Sequence, residues 1–186
     1  MNKITAFALC AILAISTASF AGNKSGNISG NYSNNGNDDV VKQALANTSE
    51  GKMFADLALT TADGKSAKLS DFVGKGKYVL IDFWASWCGW CIKEMPTLAK
   101  LQSEYKGKKL VILGVNLDKD KNAAVEAVKK HNMIWKQVYI NKIDDVSTVY
   151  GVRGIPETIL FAPDGKIVKR SLRGDELIDF IHKNVK

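Results

Sequence analysis

Val79-Leu80-Ile81-Asp82-Phe83-Trp84-Ala85-Ser86-Trp87-Cys88-Gly89-Trp90-Cys91 decides the fold of this chain. A near-continuous apolar run ends in two thiols separated by two residues. The run reads as a strand buried on both faces, as at the centre of a sheet. The segment after it, Cys91 to Tyr105, reads as a helix. Two cysteines in the first turn of a helix can close a small disulfide ring and reopen it. The positive end of the helix dipole and its free N–H groups favour a thiolate there. The pattern therefore points to dithiol–disulfide exchange.

Working outward, strands and helices alternate. A β pattern runs from Met53 to Leu59, turns at Asp63-Gly64 and resumes from Ser66 to Leu69. Lys109 to Asn116 is a second buried strand. Asn122 to His131 is an amphipathic helix, Ile134 to Ile140 returns toward the sheet, and Asp144 to Tyr150 is a short helix stopped by Gly151. Thr158 to Ala162 and Lys166 to Arg170 form a hairpin around Pro163-Asp164-Gly165. Asp175 to Lys183 closes the chain as a helix. Pro96 falls inside the Cys91–Tyr105 helix and should kink it. This order implies an α/β fold, a mixed sheet with helices on both faces, preceded by a β extension. The Cys-x-x-Cys then lies at the carboxyl end of a central strand, where open α/β sheets place their sites.

The 186 residues are 46% hydrophobic and 24% charged, within the range of one soluble globular domain. Residues 1–21 read as a signal peptide. Lys3 is followed by an apolar run from Ile4 to Ile15, then small residues suited to cleavage after Ala21. Cys10 lies inside the apolar run and leaves with it. The expected location is the periplasm or cell envelope of a bacterium. Most cysteines of an exported protein are structural staples. Here only Cys88 and Cys91 remain, both in one motif, so neither a disulfide framework nor a zinc site built on cysteine pairs fits.

Residues 22–50 read as a flexible Asn/Gly/Ser-rich tether, with at most a weak helical turn or two after residue 38. The folded domain is expected over 51–186. The whole chain carries +7, and +6 once Lys3 is removed. Its basic residues are scattered, with no stripe of interleaved aromatics. That describes a solvated surface, and nucleic acid is not expected as a partner. His131 and His182 stand alone on helical segments, so no metal is expected.

The quoted segment resembles the active-site region of thioredoxins. Cys91-Ile92-Lys93-Glu94-Met95-Pro96 is similar to the exported TlpA/ResA-like branch. Leu69-Ser70-Asp71-Phe72-Val73-Gly74-Lys75 and Gly151-Val152-Arg153-Gly154-Ile155-Pro156 resemble its leading segment and its loop before a cis-proline. The resemblance covers about residues 51–186. It implies a thioredoxin-like thiol–disulfide oxidoreductase that reduces protein disulfides and takes part in cell redox balance or cytochrome maturation. Cys88 would be the nucleophile and Cys91 the resolving thiol. Asp82 would be a buried acid beneath the pair, its pKa raised by desolvation, accepting the resolving thiol's proton. Glu94 matches an acidic position of the TlpA-like branch. Trp87, Gly89, Trp90, Ile155 and Pro156 would contact substrate, with a cis-Pro156 exposing the Ile155 backbone to an extended partner. Trp84 is assigned to the core. No cofactor is implied beyond the redox-active Cys88–Cys91 disulfide. A membrane electron donor would renew the dithiol, and the protein would act as a monomer.

Two positions depart from the family pattern. Trp90 stands where proline is usual, and the dipeptide between the cysteines tunes redox potential across about 150 mV. Glu157 follows Pro156 where threonine is common. An acid there would raise the thiol pKa, steer basic substrates or simply sit on the rim. Other chemistries remain as alternatives. A dithiol oxidase runs the same exchange in reverse, and an isomerase would use the same site. A peroxidase wants a lone cysteine with serine or threonine three residues earlier, and that position is Ala85. A copper chaperone pairs its cysteines with a nearby histidine, which neither histidine obviously supplies.

Overall fold

A computed structural model describes residues 35–186 of the chain. The expected signal peptide with its Cys10, and tether residues 22–34, lie outside the described residues. Among the described residues no helix is long and apolar enough to cross a membrane.

Seven strands form one mixed sheet in the order β2-β1-β5-β4-β3-β6-β7. They are β1 (Ala58–Thr61), β2 (Ser66–Lys68), β3 (Tyr78–Trp84), β4 (Leu110–Asn116), β5 (Lys136–Ile140), β6 (Glu157–Phe161) and β7 (Ile167–Arg170). The helices are α1 (Asn35–Asn47), α2 (Gly89–Tyr105), α3 (Lys121–Lys130), α4 (Asp144–Tyr150) and α5 (Gly174–Asn184). β3 pairs parallel with β4 and antiparallel with β6. β4 pairs parallel with β5, and β1 joins β5 antiparallel.

Strand side chains alternate between faces, yet Val79 through Trp84 are all buried. Both faces of the sheet are therefore covered, as the apolar run requires. Ile81, Phe83 and Trp84 have no exposed surface. Each fully buried Leu, Ile or Phe contributes about 1.5–3 kcal/mol. The indole N–H of Trp84 donates to Gln137 Oε1 at 3.0 Å, so its polar edge is satisfied inside the core. Gln137 fits because Gly114 faces it: a Cβ on Gly114 would lie 2.1 Å from Gln137 Oε1.

Two local features differ from the sequence expectation. Regular pairing begins at Ala58 rather than Met53, which makes only an isolated bridge to Lys166. The reason is Asp56, whose carboxylate accepts from the backbone N–H groups of Leu57 and Ser70 and from the Ser70 hydroxyl. Those bonds commit Asp56 to joining the chain before β1 to the 3-10 turn Leu69–Asp71. Pro96 lies inside α2, a single 17-residue helix.

The second difference is the tether. Residues 35–47 form α1, which packs against α4, and Thr48 beyond it is buried. Low-complexity composition ends near residue 37. Val41, Ala44 and Thr48 then follow at helical spacing and are the buried positions of this segment. The folded unit thus extends well before residue 51.

Candidate active site

The site assembles where β3 ends and α2 begins. Cys88 is the N-cap of α2, and Cys91 lies in its first turn. Their sulfurs form a disulfide with an S–S distance of 2.08 Å and a Cα–Cα distance of 5.2 Å. The Cys91 N–H donates to the Cys88 sulfur at 3.1 Å. A helix N-terminus with an N–H directed at sulfur stabilises negative charge on that sulfur once the bond opens. Cys88 keeps 7% exposure and Cys91 none. Only Cys88 is open to an outside partner.

The loop of residues 151–156 comes from the other side. Gly151, with φ of 65°, stops α4 in the left-handed region and starts this loop. The Ile155–Pro156 peptide is cis, matching what the family resemblance implies. The Cys88 sulfur lies 3.7 Å from the Ile155 carbonyl oxygen. Trp87, just before Cys88, and Trp90, between the two cysteines, are each 70% exposed. The Lys93 ammonium sits 4.2 Å from the Trp90 ring centroid. Gly89 is exposed, and no atom lies within 4 Å of where its Cβ would be. A groove of about 800 Å³ runs beside Trp87 and Ile155, lined also by Leu117, Ile143 and Val152.

Below the surface are the acids. Asp82 is 1% exposed, and neither carboxyl oxygen has a hydrogen-bond partner among the described residues. Burial first, then the nearby Glu94 charge, push its pKa up to about 7, with Arg173 opposing. Such a group exchanges protons near neutral pH. Glu94 accepts from the Gly174 N–H at 2.9 Å and so caps the start of α5. Arg173 donates to the Pro156 carbonyl. Glu94 and Arg173 thus act on Asp82 through charge alone, and Arg173 also reaches the Pro156 carbonyl.

Glu157 does not sit on the rim. It is 8% exposed, accepts from the Ser171 hydroxyl and pairs with Arg170 at 3.5 Å. Its charge is taken up inside the fold because the β6–β7 hairpin carries Arg170 to it. His131 caps α3, and His182 pairs with Glu104 at 2.7 Å. Among the described residues no cluster of His, Cys, Asp or Glu is placed to hold a metal.

Sequence reading missed two contributors. Asp118 grips Ser86, accepting from its N–H and its hydroxyl at 2.8 Å each, and Asn116 Nδ2 donates to it at 2.7 Å. The clamp holds the backbone two residues before Cys88. Its only sequence signal is position, just past the carboxyl end of β4. Arg173 is the other, and nothing local marks it.

Residues 51–170 match the AhpC/TSA family. The chain belongs to that family. Among its relatives is the thiol-disulfide oxidoreductase ResA of Bacillus thuringiensis subsp. konkukian, 32% identical over 136 residues, spanning 73% of this chain and 76% of that protein. ResA of Bacillus subtilis is 34% identical over 121 residues, 65% of this chain and 66% of the relative. Among solved structures, the thioredoxin domain of a thiol-disulfide oxidoreductase from Bacteroides vulgatus superposes with a TM-score of 0.67 at 38% identity. It covers 74% of this chain and 99% of its own. A thiol:disulfide interchange protein from a Bacteroides species gives 0.68 at 37% identity, over 74% and 90%. This member of the family has a thioredoxin-like fold and is a thiol–disulfide oxidoreductase.

Proposed function

We propose that this family member is an exported reductase of protein disulfides, with Cys88 as nucleophile and Cys91 as resolving thiol. The observation that carries the reading is the asymmetry of the pair: Cys88 alone keeps some surface, 7%, at the helix N-terminus and beside Ile155, while Cys91 keeps none.

The reduced enzyme starts as a Cys88 thiolate and a Cys91 thiol. The Cys88 thiolate attacks one sulfur of the substrate disulfide, and the other substrate sulfur leaves as a thiolate. Asp82 takes the proton of Cys91, its pKa raised first by burial and then by the Glu94 charge. The Cys91 thiolate attacks the Cys88 sulfur, and the second substrate sulfur leaves. Two electrons have passed to the substrate, and the Cys88–Cys91 disulfide is restored. Trp87, Gly89, Trp90 and the Ile155–Pro156 backbone form the surface against which an extended, partly apolar substrate lies. The exchange itself needs no metal or organic cofactor, since the dithiol carries both electrons.

The N-terminal pattern, a charge, a short apolar run and small residues before Gly22, supports export to a bacterial envelope. A membrane donor then returns electrons to the disulfide, and the chain works as a monomer. The deciding experiment is a redox titration of Cys88–Cys91 alongside insulin reduction. A potential near that of thioredoxin, about −270 mV, with insulin turnover, supports the reductase. A potential near −120 mV, about that of a strong dithiol oxidant, reverses the proposed direction.

A further inference from the structure

The loop that meets Cys88 is held at both ends by one buried side chain. Arg170, on β7, has 9% of its side chain exposed. Its Nη2 donates to the Tyr150 carbonyl at 2.8 Å, just before the loop begins at Gly151. Its Nε donates to Glu157 Oε1 at 3.5 Å, just after the loop ends at Pro156. Its Nη1 donates to the carbonyl of Thr48 at 2.9 Å and to its hydroxyl at 3.1 Å. The Thr48 hydroxyl in turn donates to the Ala44 carbonyl at 2.7 Å, inside α1. Ser171 holds the other Glu157 oxygen at 2.8 Å.

α1 also touches the loop directly. A Cβ on Gly151 would lie 2.6 Å from Leu45 Cβ, so α1 crosses a backbone position that has no room for a side chain. Asp38 pairs with Arg153 at 3.5 Å, an exposed contact worth little by itself. Both α1 and Thr48 precede the family-matched span of residues 51–170.

We infer that Arg170, together with Thr48 of the α1 segment, is a positioning residue for the 151–156 loop and so sets where Ile155 meets a protein substrate. The inference rests on the proposed role of Ile155 as a substrate contact. A planar guanidinium with donors fixed in direction can hold three chain segments in one register, which a lysine cannot do. Buried ion pairs add little net stability, but truncating one partner leaves the other uncompensated. Loss of Arg170 would leave the Glu157 charge with only the Ser171 hydroxyl and the Tyr150 carbonyl with only the longer 3.3 Å bond from the Thr48 hydroxyl, at opposite ends of the loop. The six-residue loop would then drift relative to Cys88, and ångström-scale drift costs binding alignment. A small disulfide needs no backbone partner and would not register that drift.

The test compares wild type, Arg170→Gln and Thr48→Val on two oxidants, insulin and 2-hydroxyethyl disulfide. The expected result is a KM for insulin raised about fivefold in Arg170→Gln, with kcat and hydroxyethyl-disulfide turnover kept. Thr48→Val should move insulin KM in the same direction by less, and it decides the question if Arg170→Gln does not fold. Unchanged insulin KM in the folded variants, or equal proportional loss on both oxidants, overturns the inference. A wild-type chain that turns over neither oxidant sinks the underlying reading of the site instead, and the inference falls with it.

Discussion

The Cys88 sulfur lies 3.7 Å from the Ile155 carbonyl oxygen, although 67 residues separate them in the chain. One residue is placed by the start of α2 and the other by the loop after α4. In the proposed scheme a substrate attacked by Cys88 lies along the Ile155 backbone.

Replacing Cys91 by Ala should trap clients. Cys91 is fully buried, and in the proposed scheme it resolves the mixed disulfide from within. With it gone, the intermediate on Cys88 persists. Mass spectrometry of non-reduced adducts should find disulfide-linked partners for Cys91→Ala and none for Cys88→Ala.

Asp82 gives a signed pH dependence of stability. Its folded pKa of about 7 lies above its ordinary 3.8. Below pH 3.8 both folded and unfolded chains hold the proton, and burial carries no ionisation cost. Between about pH 4 and 7 only the unfolded chain ionises, so wild type loses stability as pH rises. Asp82→Asn should therefore become the more stable protein across that window, by up to about 4 kcal/mol, with the gap flat above pH 7. Urea melts at pH 4, 5.5 and 7.5 measure it; a gap independent of pH would show that Asp82 is not a buried acid.

The same carboxylate predicts the rate profile. Asp82 accepts a proton only when ionised, so wild-type resolution should accelerate as pH rises through about 7. Asp82→Asn should lose that limb. Glu94→Gln removes a repelling charge and should move the limb to lower pH. Arg173→Gln removes an attracting one and should move it to higher pH. Stopped-flow tryptophan fluorescence across pH 5–9, a window of about two units either side of the limb, checks all three.

Trp87 and Trp90 should matter for substrate and little for folding. Each is 70% exposed, so truncation to Ala removes almost no core contact. Stability should change by about 0.5 kcal/mol or less in Trp87→Ala. Trp90→Ala also loses the Lys93 contact, worth about 0.5–1 kcal/mol at an exposed site. Insulin KM should rise in both variants while the thermal midpoint stays within a few degrees of wild type.

Gly114→Ala tests the packing behind the site. The new methyl would collide with Gln137, which accepts the Trp84 indole N–H. Moving Gln137 leaves that donor buried and unpaired, at a cost of about 1–3 kcal/mol. Chemical denaturation should show this loss, and Gly114→Ala combined with Trp84→Phe should recover part of it.

The strand from Val79 to Trp84, the helix that follows, and the pairing of Cys88 with Cys91 were legible in sequence because each is a local pattern. Apolar periodicity fixes which faces are buried, and a two-residue spacing fixes where two sulfurs can meet. Asp82 was legible for the same reason, as one acid inside an apolar run. The α1 segment was harder. Its Gly/Asn/Ser-rich beginning hid the helical spacing of Val41, Ala44 and Thr48, so it read as a tether although it packs against α4.

What sequence determined by itself is the chemistry: two thiols at a helix start, after a buried strand, exchange disulfides. What only the tertiary structure decided is the company those thiols keep. Ile155 beside Cys88, Glu157 taken up by Arg170 rather than left at the rim, and the Asp118 clamp on Ser86 all join residues 13 to 67 positions apart in the chain. Such contacts depend on how the sheet orders its strands and where each loop returns. A side chain's charge is written in the chain, but whether it faces solvent, substrate or a buried partner depends on which distant backbone is folded against it.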